Sequence, residues 1–171
     1  MIHFKSVKWS NFLSTGNNPT EVILDKSKTT LIIGENGAGK STVLDALCFG
    51  LFGRAYRPIK KNQLVNSINQ NGAEVEVNFT IGTNEFTIRR GIKPNIFDII
   101  RNGEPMDQEA HSRDFQKILE DVFELPFPIT TKNIDEYISY LTKDKKNTGT
   151  SVNCILMDDE NPFLYKFENL N

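Results

Sequence analysis

The chain has 171 residues, of which 38% are hydrophobic and 25% are charged, and its formal net charge at pH 7 is −2. These values are typical of one globular unit with its own core, and they exclude a strongly basic or strongly acidic protein. No apolar run approaches the roughly 18 residues of a membrane span, and the first residues lack the features of a signal peptide. We therefore expect a soluble, cytoplasmic protein with no membrane-spanning segment.

The first part of the chain has the pattern strand, strand, strand, glycine loop and helix. Loose apolar alternation over residues 2–9 predicts the first strand, and residues 21–24 predict the second. The β-branched run 29–33 is stopped by glycine and predicts a buried central strand. Apolar side chains recur at helical spacing over residues 40–52, and Gly53 ends the predicted helix.

The middle of the chain predicts a small antiparallel sheet. Residues 54–72 are polar and loop-like, and three short strands follow at 74–81, 85–90 and 97–101. Turn residues separate these runs, so we expect an antiparallel β meander. A short amphipathic helix is predicted near residues 115–122.

The sequence changes character after residue 124. Two prolines around one aromatic, Leu125-Pro126-Phe127-Pro128, indicate a linker. A helix near residues 134–141, a charged turn and a strand near residues 152–157 are predicted beyond it. The chain is therefore expected to comprise a lobe over residues 1–124 and a short α+β segment over residues 125–171.

One motif carries recognisable chemistry. Residues 34–41 match the phosphate-binding pattern G-x-x-x-x-G-K-[ST] in full and stand between a predicted strand and a predicted helix. Its glycines let successive backbone N–H groups point at phosphate oxygens, and the helix N-terminus adds its partial positive charge. Lys40 is expected to bridge the β- and γ-phosphates, and Ser41 to place its hydroxyl on Mg²⁺. The alternative is a chance glycine turn before a helix. The predicted cofactor-binding residues are Gly34, Glu35, Asn36, Gly37, Ala38, Gly39, Lys40, Ser41 and Thr42.

Hydrolysis of the bound nucleotide would need acidic residues at the end of another strand. The catalytic candidates are Asp158, Asp159 and Glu160, which directly follow an apolar run. The alternative is an ordinary strand that ends in a turn, and no Ser-Gly-Gly signature precedes this run. If this strand lies beside the strand of the glycine motif with Asp158 near Ser41, hydrolysis is possible. If it packs elsewhere, the chain is a nucleotide-binding module without turnover.

Four cations lie within eight residues just after the predicted helix, at Arg54, Arg57, Lys60 and Lys61. They belong to a segment, residues 1–61, that carries nine Lys or Arg against four Asp or Glu. Such a cluster is suited to contact DNA phosphates. The alternative is an ordinary solvated loop.

The other titratable candidates are given structural roles. Cys48 and Cys154 stand in apolar stretches, which is typical of buried, reduced thiols rather than of a disulfide or a metal site. The two histidines have no partner at metal-binding or catalytic spacing. Arg89 and Arg90 belong to the predicted meander.

Residues 1 to about 122 resemble the large ATPase subunit of the recombination endonuclease of tailed phages, a relative of the SMC-like DNA-repair ATPases. The resemblance rests on Asn11-Phe12, on the stretch 31–42 with its Asn-Gly-x-Gly-Lys-Ser-Thr form, on the helix that ends at Gly53, and on residues 89–95 and 113–116. It implies an α/β fold, the N-terminal lobe of an ABC-type ATPase head of the P-loop NTPase class, with an antiparallel β meander.

The resemblance also implies a function and partners. Such heads bind ATP and Mg²⁺, hydrolyse ATP during DNA double-strand break repair and recombination, dimerise head to head, bind DNA and work with a nuclease subunit. The glutamine loop, the coiled coil and the signature motif of these heads are not recognisable in the sequence. Leu13 stands where a basic nucleotide contact often follows Asn-Phe.

Residues from about 125 onward resemble the C-terminal end of dehydroquinate synthase, in Leu125-Pro126, the helix near 134–141 and the turn that holds Lys145 and Lys146. The resemblance implies that one of these lysines is the counterpart of a phosphate-side lysine. The chain lacks the NAD and metal sites of that enzyme, so synthase activity is not expected of it. A fragment of the shikimate-pathway synthase is a further alternative. A junction of two unrelated fragments would explain both resemblances.

Overall fold

A computed structural model describes residues 2–26, 29–106 and 155–158 of the chain. The helices predicted near 115–122 and 134–141, and the linker at 125–128, lie outside these residues. The elements are β1 (Ile2–Ser10), β2 (Thr20–Ile23), β3 (Thr29–Ile32), α1 (Lys40–Phe52), a 3₁₀ turn (Lys61–Gln63), β4 (Ala73–Ile81), β5 (Asn84–Ile92), β6 (Ile96–Arg101), β7 (Glu104–Pro105) and β8 (Ile155–Asp158).

A six-stranded antiparallel sheet forms the main body, with strand order β2-β1-β4-β5-β6-β7. The predicted meander is confirmed as β4, β5 and β6. The first strand of the chain joins it, since β1 pairs with β4 from Ile2 opposite Ile81 to Ser10 opposite Glu74. The meander is thus the inner part of a larger sheet that also contains the first two strands.

One face of this sheet packs against α1. Burial alternates along β4, where Val75 and Val77 are buried and their neighbours are only partly buried, as expected for a strand with one core face. Helix and sheet approach closely at Gly50, because a Cβ atom there would lie 2.5 Å from Cγ2 of Val77. Leu44 and Leu47 of α1 are fully buried in the same core, and each such side chain contributes roughly 1.5–3 kcal/mol.

The other face of the sheet carries polar side chains that bind one another. Arg89 donates to Glu74 at 2.6 Å and lies 3.9 Å from Glu76. The hydrogen bond with Glu74 raises the pKa of Arg89. Asn78 accepts a hydrogen bond from Thr87 at 2.6 Å. The charges of this face are therefore balanced between neighbouring strands.

A second, two-stranded sheet pairs β3 with β8 in antiparallel direction. The strand predicted at 29–33 is confirmed as far as Ile32. Within the described ranges β3 has one neighbouring strand, Ile32 packs against the core, and Ile33, which follows the strand, is 57% exposed; that β3 is a buried central strand stays a prediction. The β-branched run indicates a strand, but it does not determine how many neighbours the strand has.

The loop between α1 and β4 is fastened to the loop after β1. The side chain of Asn69 donates to Oδ1 of Asn11 at 2.6 Å, and the side-chain amide of Asn66 donates to the backbone carbonyl of Leu13 at 3.0 Å. Oδ1 of Asn66 accepts from the backbone N–H groups of Ile68 and Asn69, each at 3.0 Å. The predicted loop is therefore ordered by asparagine side chains, which bond readily to nearby backbone.

No helix in the described ranges combines the length and the apolar character that a membrane crossing requires.

Candidate phosphate-binding site

The loop between β3 and α1 makes two sharp changes of direction at glycine. Gly37 and Gly39 have φ angles of 88° and 89°, in the left-handed region that favours glycine. The N–H of Ala38 donates to the carbonyl of Glu35 at 3.1 Å, and the N–H of Thr42 donates to the carbonyl of Gly39 at 2.9 Å. The loop therefore has the curled backbone that the glycine motif predicts.

The N-terminus of α1 is open towards this loop. Gly39 is the N-cap residue, no side chain caps the helix, and the first turn contains no acidic residue. The first N–H groups of a helix have no partner within it and carry its partial positive charge. Residues 35–38 are exposed, and Gly39, Lys40 and Ser41 are partly buried. These features together make an accessible site for an anion.

Lys40 folds back over the loop. Its Nζ donates to the carbonyl of Gly34 at 2.5 Å and to the carbonyl of Glu35 at 2.6 Å. The ammonium group thus lies beside the same loop whose backbone curls around the helix N-terminus. A cation and a helix N-terminus at one place strengthen the attraction for a phosphate group.

Ser41 fits the role of a magnesium ligand supplied by the protein. Magnesium in phosphate-binding loops keeps waters and phosphate oxygens as most of its ligands, and one hydroxyl suffices from the loop. Within the described part of the chain no group of three or more His, Cys, Asp or Glu is arranged to hold a metal on its own. The single hydroxyl of Ser41 fits an ion whose other ligands are waters and phosphate oxygens.

The register of β8 places Asp158 at the far end of β3 from this loop. Ile155 pairs with Ile32, next to the loop, whereas Asp158 pairs with Thr29. Thr29 and Ile32 are three residue steps apart along the strand, which is about 10 Å. The strand predicted at 152–157 thus lies beside β3, but it runs in the direction that carries its acidic end away. Asp159 and Glu160 lie outside the described residues.

The four cations of the basic cluster do not share one environment. Arg57 donates from Nε to Oδ2 of Asp45 at 2.7 Å and from its backbone N–H to Oδ1 at 3.0 Å. The side chain of Asp45 is 0% exposed, and that of Arg57 is 45% exposed. Lys61 bonds instead to the side chain of Asn95, at 3.3 Å, while Lys60 is exposed and Arg54 is partly buried.

Asp45 is a buried carboxylate that the sequence analysis does not identify. Asp45 lies among apolar residues of α1 and pairs with Arg57, so Arg57 fastens the following loop to the helix. The sequence does contain a sign of this pair, an acid at an apolar helical position followed by an arginine in the next loop. Losing one partner of a buried pair leaves the other charge uncompensated.

Cys48 also lies in α1 and is fully buried. Burial raises the pKa of its thiol to about 12, so it stays protonated and unreactive at neutral pH. This confirms the predicted buried, reduced state for Cys48, and Cys154 lies outside the described residues.

Comparisons with known proteins show the family to which the chain is related. A family model described as "AAA domain" matches residues 6–171. "Exonuclease subunit 2" of Escherichia phage RB69 is 46% identical over 114 residues, which are 67% of this chain and 20% of the relative. "DNA double-strand break repair Rad50 ATPase" of Sulfolobus acidocaldarius is 34% identical over 96 residues, 56% of this chain and 10% of the relative. The chain thus spans a fifth or less of the length of these two curated relatives.

A solved structure from work on ATP-driven dimerization and DNA-stimulated activation of SMC ATPases has the same fold. Its TM-score is 0.55 at 22% identity, and the match covers 80% of this chain and 90% of that one. The predicted resemblance of the first lobe to phage and SMC-like ATPase heads is confirmed. The family match runs past residue 124 to the last residue. The division of the chain there, and the resemblance of residues 125–171 to dehydroquinate synthase, remain predictions.

Proposed function

This chain belongs to the AAA domain family, and from that premise we propose that it binds ATP with Mg²⁺ through residues 34–42. One observation carries the proposal above the others. Lys40 bonds back onto the carbonyls of Gly34 and Glu35 across a glycine loop that opens on the uncapped N-terminus of α1. Backbone donors, a helix dipole and an ammonium group meet there, which is the combination that holds a triphosphate.

Each group in the loop has a separate task in binding. The backbone N–H groups after Gly37 would donate hydrogen bonds to α- and β-phosphate oxygens, and Lys40 would exchange its loop carbonyls for β- and γ-phosphate oxygens. Ser41 would hold Mg²⁺ through its hydroxyl, and the ion would supply neutralisation of phosphate charge. Gly37 and Gly39 allow the loop to curl, because glycine adopts the left-handed φ angles found there and other residues rarely do.

We propose that this chain alone binds ATP without turning it over. Water attack on the γ-phosphate needs a positioned acidic or polar group. The antiparallel register of β8 supports the proposal, because it leaves Asp158 opposite Thr29 and away from Ser41. Hydrolysis then requires parts of the complete protein that lie outside this lobe.

The complete protein is proposed to hydrolyse ATP during DNA double-strand break repair and recombination. The names of the relatives, an exonuclease subunit and a double-strand break repair ATPase, support this proposal. They also support a nuclease subunit and DNA as partners. A head-to-head homodimer is proposed because the SMC ATPases of the matching fold are described as dimerising with ATP.

The DNA-contacting surface is proposed to contain Lys60 and Lys61, with Arg57 in a structural role. Lys60 is exposed, and Lys61 reaches the turn between β5 and β6, where Lys93 is also exposed. A phosphate contact of Lys61 would replace only its 3.3 Å hydrogen bond to the side chain of Asn95, which costs less than breaking an ion pair with a buried carboxylate. Arg57 is already committed to a buried carboxylate, so moving it to DNA would leave that charge unbalanced.

A melting experiment tests the binding proposal. Saturating Mg²⁺ and the slowly hydrolysed analogue ATPγS, at ~100 times the dissociation constant, are expected to stabilise the parent by about 2.7 kcal/mol. Lys40→Ala should lose this stabilisation, because the triphosphate loses its bridging cation. Lys60→Ala removes a lysine outside the phosphate-binding loop and should keep the stabilisation by nucleotide. A parent whose melting temperature does not respond to the nucleotide contradicts the proposal.

A further inference from the structure

The C-terminus of α1 is held by an arginine from another element. The last turn of α1 contains no basic residue of its own, and the N–H of Gly53 donates to the carbonyl of Phe49. Arg90 on β5 supplies two further donors, from Nε to the carbonyl of Gly50 at 3.0 Å and from Nη2 to that of Leu51 at 3.4 Å. The terminal carbonyls of a helix have no intrahelical partner and carry its partial negative charge. Arg90, which lies on the sheet, therefore caps the C-terminus of α1.

The guanidinium of Arg90 has little freedom to move. Its Cζ lies 3.7 Å above the centroid of the Phe97 ring, which is a close cation–π contact. A Cβ atom on Gly53 would come within 2.8 Å of Nη1. Burial lowers the pKa of Arg90 to about 10, so the group is still protonated at neutral pH. Aromatic ring, glycine and two carbonyls thus surround one fixed cation.

This contact lies at the opposite end of the helix from the phosphate-binding loop. The 13 residues of α1 span about 20 Å as a single rigid rod. The sheet limits the rod sideways, because Gly50 already touches Val77 as closely as packing allows. Motion along and around the helix axis is opposed by directional bonds, and Arg90 makes these at the C-terminus. A shift there moves Lys40 and Ser41 by a similar amount.

We propose that Arg90 is a positioning residue for the phosphate-binding site, which it serves by fixing α1 against the sheet. The proposal rests on the proposed function, since it concerns how well the loop meets a triphosphate. Displacements of about 1 Å weaken directed phosphate contacts strongly. Arg90 touches neither nucleotide nor metal in this scheme, and its effect passes through the helix.

The nucleotide affinity of the folded protein distinguishes a positioning role of Arg90 from a role in stability alone. Arg90→Met removes both donors and keeps an unbranched chain against Phe97. The dissociation constant of Mg²⁺·ATPγS is measured by calorimetry at a temperature where every variant is folded by circular dichroism. We expect affinity to fall about tenfold, which corresponds to about 1.4 kcal/mol.

Two controls are matched to this variant. Arg101→Met makes the same change on the same sheet at an exposed arginine that bonds to Asn84. Ile88→Val is a buried change on β5 that destabilises the core. Both should bind within about twofold of the parent. If Ile88→Val weakens binding as much as Arg90→Met, the effect is one of stability and the proposal is overturned.

Arg90→Lys covers the case in which Arg90→Met does not fold. Lysine keeps the charge but its single ammonium lacks the fork that spans two carbonyls, so an intermediate loss of affinity is expected. Affinity within about twofold of the parent, in Arg90→Met or, if that variant is unfolded, in Arg90→Lys, overturns the proposal. A parent that does not bind the nucleotide overturns the proposed function instead.

Discussion

The two ends of α1 are treated in opposite ways. At the N-terminus no side chain caps the helix, and an exposed glycine loop precedes it. At the C-terminus Gly53 closes the last turn, and Arg90 bonds to two carbonyls beneath the ring of Phe97. The same helix thus has no side-chain cap at its N-terminus, whereas carbonyls at its C-terminus accept hydrogen bonds from Arg90. Protein groups complete the end that favours a cation, and we propose that an anionic ligand completes the end that favours an anion.

This difference between the two ends depends on α1 being fixed in place. The largest effect on stability is expected when the ion pair between Asp45 and Arg57 is broken. Arg57→Ala leaves the fully buried carboxylate of Asp45 without its charge partner, and a loss of about 3 kcal/mol in unfolding free energy is expected. Asp45→Ala should cost less, because the half-exposed Arg57 can turn to water. Both are measured by urea denaturation.

Lys61→Ala is the control for Arg57→Ala, since it removes a cation of the same loop that bonds to a side-chain amide. A change within about 0.5 kcal/mol is expected. Equal stability of Arg57→Ala and Lys61→Ala would show that the Asp45–Arg57 pair does not anchor the helix.

The closed end can be disturbed directly through Gly53. Its φ of 72° lies in the left-handed region, and an alanine Cβ would also meet Arg90. Gly53→Ala is expected to lose about 2 kcal/mol of unfolding free energy, of which the backbone accounts for about half. Gly103→Ala has a φ of 82° and open space around it, so it shows the backbone cost alone. Equal losses in the two variants would show that Arg90 does not restrict this end.

The smallest effects are expected at the basic loop beyond the closed end. Lys60→Ala and Lys61→Ala should each weaken binding to a short DNA duplex and lower the slope of log K against log salt by about 1. Fluorescence anisotropy at several salt concentrations measures this slope. An unchanged slope in both variants would remove these lysines from the proposed DNA surface.

Much of the open end could be predicted from the sequence, because its features are local. The glycine motif, the helix that follows it and the end of that helix at Gly53 depend on residue type and spacing within twenty residues. The meander is equally local, since tight turns join β4 to β5 and β5 to β6.

The side-chain contacts that fix α1 in the fold could not be predicted in this way, because they join distant parts of the chain. Arg90 looks like one more polar residue of a strand, and only the packing of α1 on the sheet brings it to Gly50. In the sequence Arg57 is a candidate for DNA contact, and only the fold reveals that it pairs with the buried Asp45. The pairing of β1 with β4 is likewise set by the whole fold rather than by a turn.

We propose that the open N-terminus of α1 receives the triphosphate. Backbone amide chemical shifts of the ¹⁵N-labelled chain, recorded during titration with Mg²⁺·ATPγS, test it residue by residue. The largest shifts are expected at the amides of residues 37–42, with small shifts at Gly53 and in the loop around Lys60 and Lys61. An unchanged spectrum, or shifts concentrated in that basic loop while residues 37–42 stay in place, would contradict the account.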